Sequence, residues 1–193
     1  MGSTPEPVAR AADVMQHFPA PWAICGGWAV DAWLGDVTRD HGDVDLTVFG
    51  EDQSVIRSHL DGWLLNGHDR HDDDGTGPWD GRALVLPAHV HAYADDGFEL
   101  DIQLNRRSGS DWVFSRRAGL VAPIDWYLRT SGWGVPTLAP EAVLFYKARG
   151  SPRPRDEADF ALLVQTLDGS GRAWLRDAIG ALWPDHGWLG ALG

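Results

Sequence analysis

Two segments of this sequence, residues 43–49 and residues 98–105, alternate between apolar and polar side chains. A period of two residues is typical of a β-strand that buries one face, so both segments are predicted to be strands. Shorter apolar runs predict further strands over residues 22–25 and around residues 83–93. In the two alternating segments, the polar side chains are expected to share one face of the sheet.

Other segments carry apolar residues three or four positions apart, the spacing of a helix with one buried face. Before Pro140 this pattern predicts helices over residues 5–18, 28–34 and 53–60. After Pro140 it predicts helices alone, over residues 141–148, 155–167 and 172–183. The chain is therefore predicted to be an α+β protein, with a strand-containing part over residues 1–139 and a small helical domain over residues 140–193.

Residues 69–81 are rich in Asp, Gly and Pro and show no periodicity, so a surface loop is predicted there. The acidic run at residues 72–74, followed by Gly75, suggests a calcium loop. The spacing of an EF-hand argues against this interpretation, because Arg70 and Gly81 stand where oxygen ligands are needed.

The composition is acidic: 28 Asp and Glu residues outweigh 16 Lys and Arg residues, which gives a net charge of −12. A nucleic-acid binder needs a basic surface, so we expect no nucleic-acid partner and favour cationic partners, or anions bound through metal ions. Cys25 is the only cysteine, which excludes an internal disulfide and predicts a reducing, cytoplasmic compartment. The first residues lack a signal-peptide pattern and no uncharged run is long enough for a membrane helix, so neither secretion nor a membrane partner is expected.

Paired acids provide the first sign of chemistry. Asp43 and Asp45 are two residues apart on a predicted strand, so their side chains leave the same face, roughly 7 Å apart along the backbone. On the second alternating strand Asp101 is presented in the same way, together with Gln103 and Asn105. If the two strands are neighbours, the three carboxylates converge on a site for one or two Mg²⁺ ions, and Mg²⁺ commonly accompanies a nucleoside triphosphate. The alternative is a solvent-facing strand whose acids are simply hydrated.

Gly26 and Gly27 precede a predicted helix, shortly before the paired acids. Glycines at this place let backbone N–H groups approach a phosphate closely, and the helix dipole adds attraction. A Gly-Gly pair alone is more often just a turn. The evidence for phosphate binding is therefore its position shortly before the paired acids.

Another unusual residue is Lys147, the only lysine among the 16 basic residues. Either chance or a specific need for a compact point charge accounts for it.

Residues 26–31 and 38–46 resemble the signature of the small-molecule antibiotic nucleotidyltransferases, above all the aminoglycoside 2″-adenylyltransferase group, with the lincosamide nucleotidyltransferases as relatives. These belong to the DNA polymerase β-like nucleotidyltransferase superfamily. The resemblance continues through residues 98–101, 140–148 and 155–160, and so covers most of the chain. It implies a nucleotidyltransferase fold, in which a mixed β-sheet is flanked by helices and followed by a small helical domain.

The resemblance also implies roles for individual residues. Asp43 and Asp45 would bind Mg²⁺, and Asp101 would complete the metal site or take the proton from the acceptor hydroxyl. Gly26 and Gly27 would hold the triphosphate of the nucleotide through backbone N–H groups. Three further side chains would contact its phosphates: Arg39, His41 and Lys147. For Arg39 an ion pair with Asp36 or Asp40 is an equally good explanation. For the acids at residues 155–159, a structural role in the first turn of a helix is favoured.

The implied reaction is transfer of a nucleoside monophosphate, with ATP as the favoured donor, to a hydroxyl of a small molecule. Acids expected near the active face favour a cationic acceptor such as an aminoglycoside, or serve solubility alone; they are Asp95, Asp96, Glu99 and residues 72–74. A lincosamide or metabolite acceptor, or a catalytically silent nucleotide-binding or antitoxin-like module, are the alternatives. Monomer and homodimer both stay open.

For two more groups of residues the sequence allows both a functional and a structural role. Trp79, Trp126 and Trp133 lie in loop-like contexts, where stacking on a sugar or base is an option but core packing is favoured. His89 and His91 share one face of a strand, and without a third ligand near them they are interpreted as surface residues rather than a zinc site.

Overall fold

The computed structural model describes residues 3–69, 77–117 and 119–193. Within these ranges the chain forms one mixed β-sheet, with helices packed on it. The strands are β1 (Trp22–Ile24), β2 (Val44–Phe49), β3 (Leu64–His68), β4 (Gly77–Pro78), β5 (Ala88–Tyr93), β6 (Glu99–Ser108), β7 (Asp111–Val113), β8 (Val121–Pro123), β9 (Leu128–Thr130) and β10 (Pro136–Leu138). The helices are α1 (Glu6–Met15), α2 (Gly26–Leu34), α3 (Ile56–His59), α4 (Ile124–Tyr127), α5 (Pro140–Lys147), α6 (Pro154–Leu163), α7 (Gly169–Leu182) and α8 (Leu189–Leu192). The predicted α+β class, with a mixed sheet flanked by helices, is confirmed.

The order of the strands in the sheet is β4-β3-β5-β6-β2-β1-β10-β9, and β7 and β8 extend from the far end of β6. Two pairs are parallel, β2 with β6 and β1 with β10, and the others are antiparallel. Within the parallel pair Asp45 is opposite Asp101, and across the next pair Asp101 is opposite His91. Because paired residues project from the same face, the polar residues of β2, β6 and β5 collect on one side of the sheet.

The opposite face of the sheet lies in the core. Val44, Leu46, Leu100, Ile102 and Val90 are all at most 1% exposed. They are the apolar members of the alternating pattern, which explains why these segments fold as strands with a fixed register. Helix α1 adds further buried side chains to this core, and it begins after Pro5, with Pro7 in its first turn, where a proline is tolerated.

Helix α2 begins two residues earlier than predicted. The sequence suggested a glycine turn followed by a helix from Trp28, whereas Gly26 and Gly27 form the first turn of the helix itself. Gly26 has φ +63°, a conformation that other residues rarely adopt. The helix ends at Gly35 in the left-handed conformation, as predicted.

Several predicted elements need correction. The helix predicted over residues 53–60 is a 3₁₀ segment, Gly50–Val55, followed by the single turn α3. Strand β3 was not predicted, and within residues 83–93 only β5 is a strand. Of the loop predicted over residues 69–81, residues 70–76 lie outside the described part of the chain, and Gly77–Pro78 pairs with β3. Short strands such as these depend on tertiary pairing rather than on local periodicity.

The helices after Pro140 pack on the sheet. Phe145 of α5 and Leu163 of α6 belong to the same hydrophobic cluster as the strands, and Phe160 stacks on Trp188 at 4.1 Å between ring centroids. Helix α6 stops at Leu163 and continues as a 3₁₀ turn, so the helix predicted over residues 155–167 is shorter than expected. The division of the chain at residues 139 and 140 stays a prediction. No helix in residues 3–69, 77–117 or 119–193 is both long enough and apolar enough to cross a bilayer.

Candidate active site

Three carboxylates meet at the edge of the polar face. Asp45 lies on β2, Asp43 immediately precedes that strand, and Asp101 lies on β6. One ligand oxygen from each can be chosen so that all three are within 4.8 Å of one another. Asp43 is exposed, whereas Asp45 and Asp101 are partly buried. The three acids predicted from two separate strands are therefore neighbours in the structure.

The carboxylates repel one another. Burial is the largest cause that raises the pKa of Asp45, and the negative charges of Asp43 and Asp101 add to it, which brings this pKa to about 7. Burial also raises the pKa of Asp101, whose Oδ2 accepts a hydrogen bond from the Gln103 amide at 2.8 Å. The other oxygen, Asp101 Oδ1, is buried and has no hydrogen-bond partner within the described residues. Like charges held together around an oxygen without a partner fit a divalent cation that prefers oxygen ligands, such as Mg²⁺.

The first turn of α2 lies directly against this cluster. A Cβ added to Gly26 would overlap the Asp45 carboxylate, and a Cβ added to Gly27 would overlap the side chains of Arg39 and His41. Only glycine therefore fits at either position without displacing a neighbour. Backbone N–H groups at the start of a helix are left without intrahelical partners, so the first turn of α2 offers hydrogen-bond donors next to the acids.

A buried network positions His41. Its Nε2 lies 2.7 Å from Oδ2 of Asp31, and its ring packs 4.3 Å from that of Trp28. Asp31 is fully buried in α2 and also accepts a 2.6 Å hydrogen bond from the Thr38 hydroxyl. Burial alone would raise the pKa of Asp31, but the hydrogen bonds from His41 and Thr38 outweigh it and lower the pKa below its usual value. Sequence reasoning missed Asp31, although an acid inside an otherwise apolar helix was a usable signal.

The single lysine is held by acids of the next helix. Lys147 Nζ lies 2.6 Å from Asp159 Oδ2 and 3.5 Å from Asp156 Oδ1. Arg39 also contacts Asp159, at 3.3 Å, and donates to the backbone carbonyl of Asp40. The alternative explanation for Arg39, an ion pair with the carboxylate of Asp36 or Asp40, is therefore wrong. Asp156 has the predicted structural role, because it accepts hydrogen bonds from the Arg153 backbone and side chain at the start of α6.

A second network joins α5 to the strands that carry the acids. The Tyr146 hydroxyl donates to Asn105 Oδ1 at 2.6 Å, and the Asn105 amide donates to the Thr47 hydroxyl at 2.7 Å. Trp112 Nε1 donates to the same Tyr146 oxygen at 3.2 Å. Because Tyr146 precedes Lys147, this network fixes the lysine relative to β2 and β6.

These groups surround one cavity of about 990 Å³ between the sheet and helices α2, α5 and α6. It brings together all eight residues predicted for the metal and nucleotide sites: Gly26, Gly27, Arg39, His41, Asp43, Asp45, Asp101 and Lys147. A volume of this size accommodates a nucleotide. The arrangement offers carboxylates for a cation at one place, and backbone N–H groups, Arg39 and Lys147 for an anion beside it.

The residues predicted to bind the acceptor are more scattered. Glu99 is exposed and shares the face of Asp101, two residues away on β6. Asp95 and Asp96 lie in the turn between β5 and β6, and both oxygens of Asp96 accept hydrogen bonds from Arg10 at 2.7 Å. None of the three lines the cavity described above. The acids at residues 72–74 lie outside the described residues, so acceptor binding by this whole group stays a prediction.

The ambiguous aromatic residues are structural. Trp79 and Trp133 are buried, and Trp126 packs on Trp174 at 4.6 Å between ring centroids, so core packing is the role the structure gives them.

The interpretation of His89 and His91 as lacking a third ligand was wrong, because strand pairing brings Asp101 to them. Burial, followed by the nearby His91 and His68, lowers the pKa of His89 to about 4.

A mixed sheet that presents clustered carboxylates beside a glycine-initiated helix, followed by further helices, defines an enzyme of the nucleotidyltransferase class. Residues 8–163 match the sequence model of the aminoglycoside-2''-adenylyltransferase family, and the chain belongs to that family. The resemblance noted from the sequence is thereby confirmed.

Named relatives agree with this assignment. The 2''-aminoglycoside nucleotidyltransferases of Klebsiella pneumoniae and Escherichia coli are each 27% identical over 125 residues, which span 55% of this chain and 70% of the relative. Two solved structures share the fold with a TM-score of 0.60. Lincomycin-bound lincosamide antibiotic adenylyltransferase LnuA is 19% identical, and the match covers 86% of this chain and 100% of that one. ANT(2")-Ia in complex with adenylyl-2"-tobramycin is 20% identical, with 90% and 95% covered.

Proposed function

We propose that this enzyme transfers AMP from ATP to a hydroxyl group of an aminoglycoside-type antibiotic in a Mg²⁺-dependent reaction. The observation that carries the proposal is the approach of the Asp43, Asp45 and Asp101 oxygens to within 4.8 Å, next to the glycine-initiated helix. The relatives named as 2''-aminoglycoside nucleotidyltransferases support the choice of acceptor class. A cytoplasmic location, as predicted from the single cysteine, suits a reaction that consumes ATP.

The metal site consists of the three aspartates. Asp43 and Asp45 bind the ion, and Asp101 Oδ1, which is buried without a partner among the described residues, completes the set. When bound, Mg²⁺ neutralises phosphate charge and lowers the pKa of the attacking hydroxyl. The chain's own contribution is to hold the carboxylates together in spite of the repulsion that raises the pKa of Asp45.

The triphosphate lies between the carboxylates and α5. Backbone N–H groups of Gly26 and Gly27 donate to phosphate oxygens, and the absence of side chains there allows the close approach. Arg39 and His41 add contacts from the connector before β2, where the buried Asp31 orients the imidazole. Lys147 balances charge on the β- and γ-phosphates, and for this it exchanges its contact with Asp159 for one with the nucleotide.

Asp101 has a second role as the proton acceptor. In an in-line displacement the acceptor hydroxyl bonds to the α-phosphorus, pyrophosphate leaves, and the hydroxyl proton moves to Asp101. Asp101 lines the same cavity as Asp43 and Asp45, which places its carboxylate within reach of an acceptor hydroxyl there. A cationic acceptor is favoured by the net charge of −12 and by Glu99, which lies two residues from Asp101 on the same face.

Pyrophosphate release from ATP and GTP, measured with Mg²⁺ across a panel of aminoglycosides and lincosamides, tests the proposal. We expect release with ATP and an aminoglycoside, and mass spectrometry should show a nucleotidylated drug. Pyrophosphate release only with a lincosamide would show that the acceptor is a lincosamide and that the proposed type of reaction is correct. Mg²⁺-dependent nucleotide binding without turnover on any acceptor would overturn the enzymatic proposal in favour of a silent nucleotide-binding module.

A further inference from the structure

Next to the carboxylate cluster, the polar face of the sheet carries two histidines that the proposed reaction does not use. His89 and His91 are two residues apart on β5, so their rings leave the same face. Strand β6 places Asp101 opposite His91 and Gln103 opposite His89. One ligand atom from each of His89, His91 and Asp101 can be chosen so that all three lie within 4.8 Å of one another.

The ligand atoms of this group have few other contacts. Among the described residues, no hydrogen bond involves a ring nitrogen of His89 or His91, and Asp101 Oδ1 is buried without a partner. Both histidines are partly buried, so they are not simply hydrated on an open surface. Their rings meet edge to face at 4.8 Å between centroids.

A third histidine lies beside them on the next strand. His68 of β3 is paired with His89 and stacks on its ring at 5.0 Å between centroids. Its Nδ1 is buried and has no hydrogen-bond partner within residues 3–69, 77–117 and 119–193. A buried ring nitrogen without a partner is costly unless a ligand or water satisfies it. His68 is thus placed to act as a further ligand or to support His89.

The chemistry of these ligands differs from that of the aspartate cluster. Two imidazoles and one carboxylate suit Zn²⁺, Mn²⁺ or Co²⁺, whereas Mg²⁺ prefers oxygen ligands alone. We propose that His89, His91 and Asp101 form a site for a first-row transition-metal dication, separate from the Asp43 and Asp45 side of the cluster. Zinc bonds of roughly 2.0 to 2.2 Å need ligand atoms closer together than 4.8 Å, and rotations of the two imidazoles provide the adjustment.

Asp101 belongs to both groups, and this gives the site a consequence. A transition metal held by the two histidines takes Asp101 as its third ligand, so the same carboxylate is withdrawn from Mg²⁺ and from the acceptor hydroxyl. Transition-metal binding is therefore expected to oppose nucleotidyl transfer. The binding inference goes beyond the proposed function, because it requires neither nucleotide nor antibiotic.

Binding is measured on the metal-free full chain in Mg²⁺-free buffer. Co²⁺ is followed by its visible absorption, which is intense for nitrogen and oxygen ligands in tetrahedral geometry, and Zn²⁺ is followed by calorimetry. We expect about one equivalent of either metal to bind, and His89→Gln and His91→Gln each to weaken the affinity by about tenfold or more. His17→Gln, which changes an exposed histidine at the end of α1, is the control and should keep the wild-type affinity. Asp43→Asn, which changes the other side of the carboxylate cluster, should weaken the affinity much less than either variant on β5.

Three results would overturn the site. Equal affinity in the wild type and in both strand-β5 variants would show that the histidines are not ligands. An equal loss with His17→Gln would indicate nonspecific binding to surface histidines, and an equal loss with Asp43→Asn would place the metal in the aspartate cluster. Circular dichroism confirms that each variant is folded. Because no turnover is measured, an inactive enzyme would leave this result unaffected.

Discussion

Asp45 and Asp101 lie directly opposite each other in the parallel pair formed by β2 and β6. No cation of the protein lies between them as an ion-pair partner among the described residues, and the pKa of Asp45 is raised to about 7 by burial and by the neighbouring carboxylates. The pair is therefore expected to destabilise the metal-free fold, and a divalent ion bound as proposed would offset the repulsion. Ion binding and folding would then be linked through these two side chains.

Asp45→Asn tests this linkage. The variant removes one of the repelling charges, so its melting temperature without Mg²⁺ should equal or exceed that of the wild type, while nucleotidyl transfer falls by about 10³-fold or more. Added Mg²⁺ should raise the melting temperature of the wild type but not that of the variant. Asp61→Asn, at an exposed turn, is the matched control and should change neither quantity. Wild-type turnover by Asp45→Asn would remove the metal mechanism.

Gly26 and Gly35 provide a matched pair at the two ends of α2. Both have positive φ, +63° and +78°, but a Cβ at Gly26 overlaps the Asp45 carboxylate whereas a Cβ at Gly35 meets nothing within 4 Å. Gly35→Ala should cost about 1 kcal/mol of stability from backbone strain and keep its activity. Gly26→Ala should cost more than that, and it should lower kcat/KM by about 100-fold or more because it displaces a metal ligand. Chemical denaturation and initial rates give both numbers, and equal effects of the two variants would contradict the prediction.

Lys147→Met separates a structural from a catalytic contribution. The variant removes a positive charge next to the carboxylates of Asp156 and Asp159, which are 3% and 2% exposed. The free energy of unfolding is therefore expected to fall by about 3 kcal/mol. The KM for ATP should rise strongly at the same time. The double variant Lys147→Met with Asp159→Asn should regain much of the stability but none of the nucleotide affinity. If the double variant also regained the KM, the lysine would act only through Asp159. Arg57→Met, at an exposed arginine, controls for the loss of a positive charge.

The buried carboxylate of Asp31 makes the stability of the fold depend on pH. Its pKa is lowered in the folded state because the hydrogen bonds from His41 and Thr38 outweigh the effect of burial. Its stabilising contribution is therefore complete above the pKa of the unfolded chain, about 3.9, and it is lost as the pH falls through the lower folded pKa. Asp31→Asn should cost about 2 kcal/mol at pH 7 and should flatten the acid limb of the stability profile. An acid limb identical to that of the wild type would assign the acid sensitivity to other carboxylates.

The sequence was sufficient for the parts of the site that depend on local periodicity. The two-residue alternation of apolar and polar side chains placed Asp45 and Asp101 on strands whose other face lies in the core. Lys147 stood out because it is the only lysine. The sequence was insufficient wherever two distant segments had to be paired. Neither the contact of Asp101 with His91 nor that of Asp159 with Lys147 has a local signature, because each depends on the register of strands or on helix docking.

The same reasoning explains the errors in secondary structure. Strand β3 contains Asn66, Gly67 and His68, which are poor strand formers, and it exists because β5 pairs with it along its length. The helix predicted over residues 53–60 had an apolar pattern, but only Ile56 and Leu60 of that segment are buried, and it forms a 3₁₀ segment and one turn. The sequence does show Asp31 as an acid inside an otherwise apolar helix, but it does not show the partners of Asp31, which are His41 and Thr38.

The hydrogen bonds from Tyr146 through Asn105 to Thr47 have a mechanical consequence. They tie α5, which carries Lys147, to β2 and β6, which carry Asp45 and Asp101, so the distance between the lysine and the carboxylates is expected to stay the same when a triphosphate binds. If the proposed reaction is correct, this fixed distance is expected to select donors by the length of their phosphate chain. Tyr146→Phe should loosen that selection, which would be visible as a smaller difference in binding between ATP and ADP.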